Sequence, residues 1–501
     1  MPHRAAAPRE RGRTGAPTIV EVRRRRPRRG DERVDRRAGA PPVTTRVLAE
    51  YVATALDRPL PDDVAERATD HLVDTVAAIV SGSVLPAGRH GQALARAHGG
   101  SPQATVLGTG LRTDTAHAAL ANGMAAHADE TDDSHEPSRT HPGCSIVPAA
   151  LAVAESAGAP GRSLLRAVAL GYDVCARTTR ALWPDFTALR ATRHSTHAIG
   201  GLFGSAATAG ALADLGPARL AHLFSYACQR ASGTTAWLRD AEHVQKAYVF
   251  AGMPASDGVQ LARLVAAGWP GIDEPFTGES GFLDVIGEDA DPDVLTAGLG
   301  TDYAVARTNI KWLPVGSPIQ APAQALLEVM RTHHLSGTDV TGVEVVLPGS
   351  LAHVVDSRDM PDIDLAYVLG VILTDGRLTF AAVHDMRRFS SWRGGGGDPR
   401  ITIRTDAGMQ PLRQAHVVVR AGDRSLAHRV TAIHGSPRDP MSSAEVDGKA
   451  RELVAPVLGA DQADLLVTTL RGVARMSDHG WTDVLDRPAP SADTRGAPCT
   501  N

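Results

Sequence analysis

Thr115-Ala-His-Ala-Ala-Leu-Ala-Asn-Gly-Met-Ala-Ala-His127 runs straight into Ala-Asp129-Glu130-Thr-Asp132-Asp133-Ser134-His135-Glu-Pro-Ser-Arg139-Thr-His141-Pro142-Gly143. The first half is alanine-rich and predicts a helix over 114–128, with side chains small enough for neighbouring helices to approach closely. The second half crowds ionisable groups onto the end of that helix. Carboxylates and imidazoles together can move protons near neutral pH. They can also hold a divalent ion through oxygen and nitrogen, here from Asp129, Glu130, Asp132, Asp133 and His135. A solvated acidic loop has the same composition, and spacing alone leaves the three readings open.

The helical pattern extends to both sides. Behind Asp62-Asp63, the apolar positions Val64, Ala68, Leu72, Val76 and Ile79/Val80 predict a helix that stops near Gly82. Alanine-rich helices fit 145–157, 162–182, 200–213, 217–231 and 254–267. An all-helical domain over 44–298 follows. Past residue 300 the pattern changes. Val343, Val345 and Leu347 alternate with polar residues, while Ile401-Thr-Ile-Arg and His416-Val-Val-Val-Arg, followed by Ala421-Gly-Asp, read as strands and a turn. With helices at 318–331 and 363–374, residues 299–435 read as an α+β domain. A helix from Ser443 to Leu458, stopped by Gly459, opens a C-terminal helical segment (436–485) expected to return to the first domain. The expected fold is mainly α, a large all-helical domain plus a smaller α+β lid domain. Gly394–Gly397 reads as a loop with no phosphate-binding context.

A chain of 501 residues is comfortable for two domains. No apolar run reaches the 18 residues of a membrane span. Four cysteines (Cys144, Cys175, Cys228, Cys499) lie far apart, which argues against a disulfide framework, a zinc ribbon or an iron–sulfur cluster. With no apolar leader core, the expectation is a cytoplasmic protein. The net charge of −4 gives no general pull toward nucleic acid. Residues 1–43 are crowded with arginine and read as a disordered tail, as do 486–501. The rival reading is a helical binding protein whose basic arm contacts nucleic acid.

Only three of the 52 basic residues are lysine: Lys246, Lys311 and Lys449. A lysine kept among so many arginines marks a place where a compact ammonium is needed. Lys246 and Lys311 fall in glycine-punctuated turns, Lys311 just before Gly316-Ser317-Pro318, where Ser317 can cap a helix and Pro318 can open it. Lys449 sits mid-helix and reads as structural. His194 and His197 stand just ahead of the glycine-rich start of a helix, whose exposed amides attract anions. Together these features suit a polycarboxylate.

The segments Ala118–Gly123 with His127, Asp132-Asp133-Ser134-His135, His141-Pro142-Gly143 through Glu155, His194–Ala207, Lys246–Gly258, Lys311–Ala321, Pro361–Gly376 and Gly435–Lys449 resemble the MmgE/PrpD family. That family includes 2-methylcitrate dehydratase, cis-aconitate decarboxylase and iminodisuccinate epimerase. The resemblance spans about residues 45–460. It implies a helical domain under an α+β lid with the site between them, a homodimer, and a cofactor-independent lyase with no metal, acting on a di- or tricarboxylate. Dehydration of a 2-methylcitrate-like (2-alkylcitrate) substrate leads; decarboxylation of a cis-aconitate-like acid and epimerisation of an iminodisuccinate-like acid share the same carbanion. Carried over by position, the catalytic residues fall on Glu130, Ser134, His141, His194, Lys246, Lys311 and Tyr367. Asp132, Asp133, His135, His197 and Ser317 are expected to bind substrate. Two departures stand out. The stretch around His194 is one residue longer than usual, which lets His197 take the role, and Lys246 lies one residue further from Gly252.

Overall fold

Asp62–Gly82 forms the central helix, and the computed structural model, which describes residues 44–485 save 288, 356–358 and 410–412, buries it on every side from Ala68 to Gly82. The expected tails at 1–43 and 486–501 lie outside the described residues. Helix accounts for 60% and strand for 9%, which makes the chain mainly α. Among the described residues no single helix is long and apolar enough to cross a membrane.

Thr115–Ala126, Gly143–Ala157 and Gly161–Leu182 pack on the central helix, and Thr196–Leu212 and Met253–Ala266 pack on these three in turn. Small residues set their spacing. Gly161–Leu182 and Thr196–Leu212 cross where Gly204 faces Gly171, and a Cβ on Gly204 would stand 2.6 Å from the Gly171 carbonyl oxygen. No side chain fits there, so the helices meet backbone to backbone.

Ser443–Leu458 and Ala460–Gly472 lie against the central helix. Ser442 and Glu445 close a reciprocal capping box at the start of the first. Arg471 ties the second to Asp70 of the central helix and to Asp447.

The α+β portion is a four-stranded sheet in the order Ile401–Asp406, Gly342–Pro348, Ala415–Ala421, Arg424–Val430. The first pair is parallel and the others antiparallel. Val343, Val345 and Leu347 point to one face and pack with Val417 and Val419 under Ser317–Thr332 and Leu365–Asp375. The opposite face carries Glu344 between Arg404 and Arg420. This is the alternation of a half-covered sheet.

Two local expectations change. Gly316, not Ser317, is the N-cap of Ser317–Thr332; Ser317 is its first helical residue and makes no cap bond. A short hairpin, Ala104–Val106 with Leu111–Thr113, has no counterpart in the sequence reading. Three-residue strands are too short to carry a period. Glu155 fixes the hairpin from outside, accepting from the Thr105 amide and hydroxyl at 2.8 Å each.

Candidate active site

The polar stretch after Thr115–Ala126 is anchored at its middle. Asp133 accepts from the Gly143 amide (3.1 Å) and the Tyr172 hydroxyl (2.5 Å) and lies 3.1 Å from His71 Nδ1, all of them buried. Gly143 is required here, since a Cβ would stand 2.6 Å from the Tyr172 hydroxyl and from Thr75 Oγ1. Ser134 exchanges backbone hydrogen bonds with Asn309, 3.0 Å one way and 2.8 Å the other. That pairing lays residues 309–311 alongside the loop and delivers Lys311.

Lys311 Nζ lies 3.1 Å from Glu130 Oε2 and 3.1 Å from Asp132 Oδ1. Lys246 takes the other oxygen of Glu130. Burial alone would raise Glu130; the ammonium groups of Lys246 and Lys311 outweigh it and hold the carboxyl well below its usual range. Asp132 is likewise held down, against burial, by His127, Lys311 and His141. Asp132 is therefore an anion and only accepts. It receives His127 Nδ1 at 2.8 Å and His141 Nδ1 at 3.0 Å. Both rings thus carry their proton on Nδ1. Burial, partly opposed by Asp132, lowers His141 to about 4. His141 is neutral at physiological pH, with a lone pair on Nε2.

Burial also pushes His197 and His243 well below the ordinary imidazole value, with nearby positive groups adding to it. Phe250 stacks on His197 at 3.6 Å and on His127 at 4.5 Å between centroids. It sits in a π-helical turn, Tyr248–Gly252, directly after the helical turn that carries Lys246. A π turn takes up one residue more than an α-helical turn.

These groups border a cavity of about 220 Å³. Glu130, His141, His197, His243 and Lys246 form its polar side, with Arg139 and Arg413 as further cations. Leu351, Val354, Val355, Met360 and Ile363 of the α+β portion form an apolar roof, which Trp237 and Phe250 extend. Two facing residues, Arg139 (φ 51°) and His243 (φ 60°), hold left-handed backbone; strain of this kind clusters at active sites. A larger groove of about 820 Å³ lies beside Ser317–Thr332 and Ser443–Leu458, away from these groups.

The candidates named from sequence divide. Glu130, His141, Lys246, His197 and Ser317 reach the cavity. Lys311 and Asp132 lie directly behind it, so Lys311 neutralises carboxylates of the protein and does not face a substrate. Ser134 holds Arg413, accepting from its guanidinium at 2.8 Å. Asp133 is spent on the anchor described above. His135 bonds Ser138 at 2.7 Å, and its burial, helped by Arg307, lowers it to about 3.

Two expectations are corrected. His194 is exposed and stacks on Trp183, because it precedes Ser195, the N-cap, whereas His197 falls in the first buried turn. Tyr367 lies in the core of the α+β portion against Phe389 and Trp392, its hydroxyl on the Ala382 carbonyl at 3.1 Å. Arg139, Trp237, His243, Phe250 and Arg413 line the site without having been selected. His243 sits three residues before Lys246, which was a usable signal; Arg413 lies in a loop with no periodicity.

The metal reading named five ligands, and they do not converge. Asp129 faces His384 and Thr131, and Asp133 and His135 have the partners given above. Among the described residues, the groupings within ligand distance of one another are His127–Asp132–His141 and His127–Glu130–His243. A cation in either would compete with ammonium groups that already neutralise both carboxylates.

Residues 46–295 match the family model of the MmgE/PrpD N-terminal domain, and residues 314–470 match that of the MmgE/PrpD C-terminal domain. No curated protein matches the chain.

Proposed function

The chain belongs to the MmgE/PrpD family, whose domains point to lyase chemistry on carboxylic acids, and from that premise we propose that it is a cofactor-independent hydro-lyase that dehydrates a 2-methylcitrate-like (2-alkylcitrate) substrate. One observation carries this reading: a neutral His141, fixed by the Asp132 anion with its Nε2 lone pair free, beside a cavity edged by three cations.

Lys246, Arg139 and Arg413 bind substrate carboxylates. Neutralising the carboxylate next to the acidic carbon stabilises the aci-carboxylate that forms as its proton leaves. His141 takes that proton, and the C–H electron pair becomes the new double bond. The C–O bond breaks, and the hydroxyl takes a proton from His197 and departs as water. His197 is neutral in the empty site; a polyanion bound beside it raises its pKa, so that it takes up from solvent the proton it then donates. Decarboxylation and epimerisation would use the same base and cations, and the assay below separates them. The apolar roof favours a substrate with an alkyl arm. We place the enzyme in the cytoplasm as a homodimer, which sedimentation tests.

The test is proton NMR in deuterium oxide with 2-methylcitrate, longer 2-alkylcitrates, cis-aconitate and iminodisuccinate, with and without a chelator. The expected result is loss of the hydroxyl-bearing acid and appearance of an alkene, unchanged by chelation. Loss of carbon dioxide, or deuterium exchange without net change, would replace dehydration with one of the other two reactions. Loss of turnover on chelation would restore the metal reading. Each methylene added to the alkyl arm is expected to raise kcat/KM about fourfold until the roof is filled, from about 0.8 kcal/mol per buried methylene. A flat series would remove the roof from the binding site.

The base also predicts a pH profile. His141 acts when deprotonated, so activity is lost as pH falls through about 4. After correction for substrate ionisation, kcat/KM is expected not to fall from pH 7.5 to 5.5: His141 stays deprotonated, and the proton that His197 must take up makes kcat/KM rise over that interval. An ordinary imidazole near 6.5 would lose about tenfold over that interval, and such a loss would exclude His141.

A further inference from the structure

All three lysines of the chain converge on three consecutive residues. Lys246 binds Glu130, Lys311 binds Glu130 and Asp132, and Lys449 donates to the carbonyl of Thr131 at 3.0 Å. Lys449 has no place in the mechanism above. It rises from the middle of Ser443–Leu458 at the edge of the larger groove, and the ammonium of its partly buried side chain also lies 2.6 Å from Asp74 of the central helix. The carbonyl it holds belongs to the peptide unit between Thr131 and Asp132. On the other side, the Thr131 amide and hydroxyl bond the Asp129 carboxylate at 3.0 Å and 2.5 Å. The backbone that carries both Glu130 and Asp132 is thus tied from outside the cavity.

We propose that Lys449 is a positioning residue: with Asp74 as its counter-ion, it clamps the Thr131 carbonyl to the helical core and fixes where Asp132 meets His141. An ammonium suits the task because it directs three donors around one point, to a carbonyl and a carboxylate at once. A planar guanidinium aims its donors in a fixed fork. That difference gives a physical reason for lysine at this position in a chain where 52 basic residues include only three lysines. Misplacing a catalytic group by about 1 Å costs about 100-fold in rate, so loosening the clamp acts on kcat and leaves substrate binding alone.

The proposal rests on the lyase reading for its kinetic arm only. Lys449→Met strands Asp74 in the interior and is expected to lower stability. Lys449→Met combined with Asp74→Asn removes both charges and is expected to bring the urea midpoint back toward wild type. In that double variant kcat is expected to stay 10- to 100-fold down with KM within twofold, and the peptide spanning residues 128–136 to exchange its amide hydrogens at least tenfold faster. Lys449→Arg is expected to remain at least tenfold down in kcat. A double variant with wild-type kcat and wild-type exchange would reduce Lys449 to a stabilising ion pair and overturn the proposal. Wild-type kcat in Lys449→Arg would overturn the need for an ammonium. If the wild-type enzyme turns over none of the acids, the lyase reading fails, and the exchange comparison still decides the clamp.

Discussion

Asp132→Asn is expected to lower kcat by about 10³- to 10⁴-fold, the scale seen when the carboxylate that orients a catalytic histidine becomes an amide, with KM changed less than about threefold. The carboxylate receives Nδ1 protons from two rings, His127 at 2.8 Å and His141 at 3.0 Å, and a third contact from Lys311 at 3.1 Å. An amide offers one oxygen and one NH₂ in the same space. Lys311, which only donates, keeps the amide oxygen at the Oδ1 position, so both rings, which bond the Oδ2 position, face the NH₂ and must turn a lone pair to Nδ1 and a proton to Nε2. His141 is then blocked as a base. The cations proposed to meet the substrate, Lys246, Arg139 and Arg413, do not bond Asp132, so KM is expected to be largely spared. Steady-state kinetics on the acid found by NMR measure both constants. His194→Ala is the internal control and is expected to keep wild-type kcat, because His194 stacks on Trp183 outside the cavity. A fall below tenfold in Asp132→Asn would mean that His141 is not the base, and loss of activity in His194→Ala would reopen the choice between the two histidines.

Why the sequence identified some of these residues and not others follows from what periodicity records. Helices with a stripe at 3.6-residue spacing were legible almost to their ends, as with Gly82 and Gly459, because the apolar stripe itself stops there. Thr196–Leu212 starts four residues before its expected position, since Gly200-Gly201 looks like a start while Ser195 is the working cap. That small shift decides which histidine is buried. Charged density after an apolar helix revealed Glu130 and His141. Rarity revealed Lys246 and Lys311. Neither signal records burial, so Lys311 read as substrate-facing although it is 2% exposed and turned to the protein's own carboxylates. Rarity should also have raised Lys449. Its mid-helix position argued the other way, and only the tertiary fold brings that helix back to residue 131. Arg413 reaches the site from a loop some 270 residues downstream of His141, a distance no local pattern spans.

Lys311→Met is expected to destabilise the protein by about 3–5 kcal/mol, the cost of leaving a buried charge without its partner, read from urea unfolding at pH 7.5. Burial lowers the Lys311 pKa, but Asp132 and Glu130 outweigh it and hold the ammonium above the ordinary lysine range. In the wild type both carboxyls are depressed. They therefore contribute stability above the unfolded carboxylate range near pH 4, and lose it only as pH falls through their lower folded values. Without Lys311, burial is less opposed at both carboxyls and both folded values rise from their wild-type positions. A group raised in the folded state gains relative stability when it is protonated. The deficit of Lys311→Met is thus widest at pH 7–8 and shrinks as pH falls toward 5. Lys246 still faces Glu130, and His127 and His141 still face Asp132, which draws the loss toward the lower end of the range. Adding Glu130→Gln removes one of the two stranded anions and is expected to recover about half of the deficit. A loss under about 1 kcal/mol, or one that does not vary between pH 5 and 8, would mean that the two carboxylates do not depend on this lysine, and the electrostatic account of the site would have to begin from Lys246 alone.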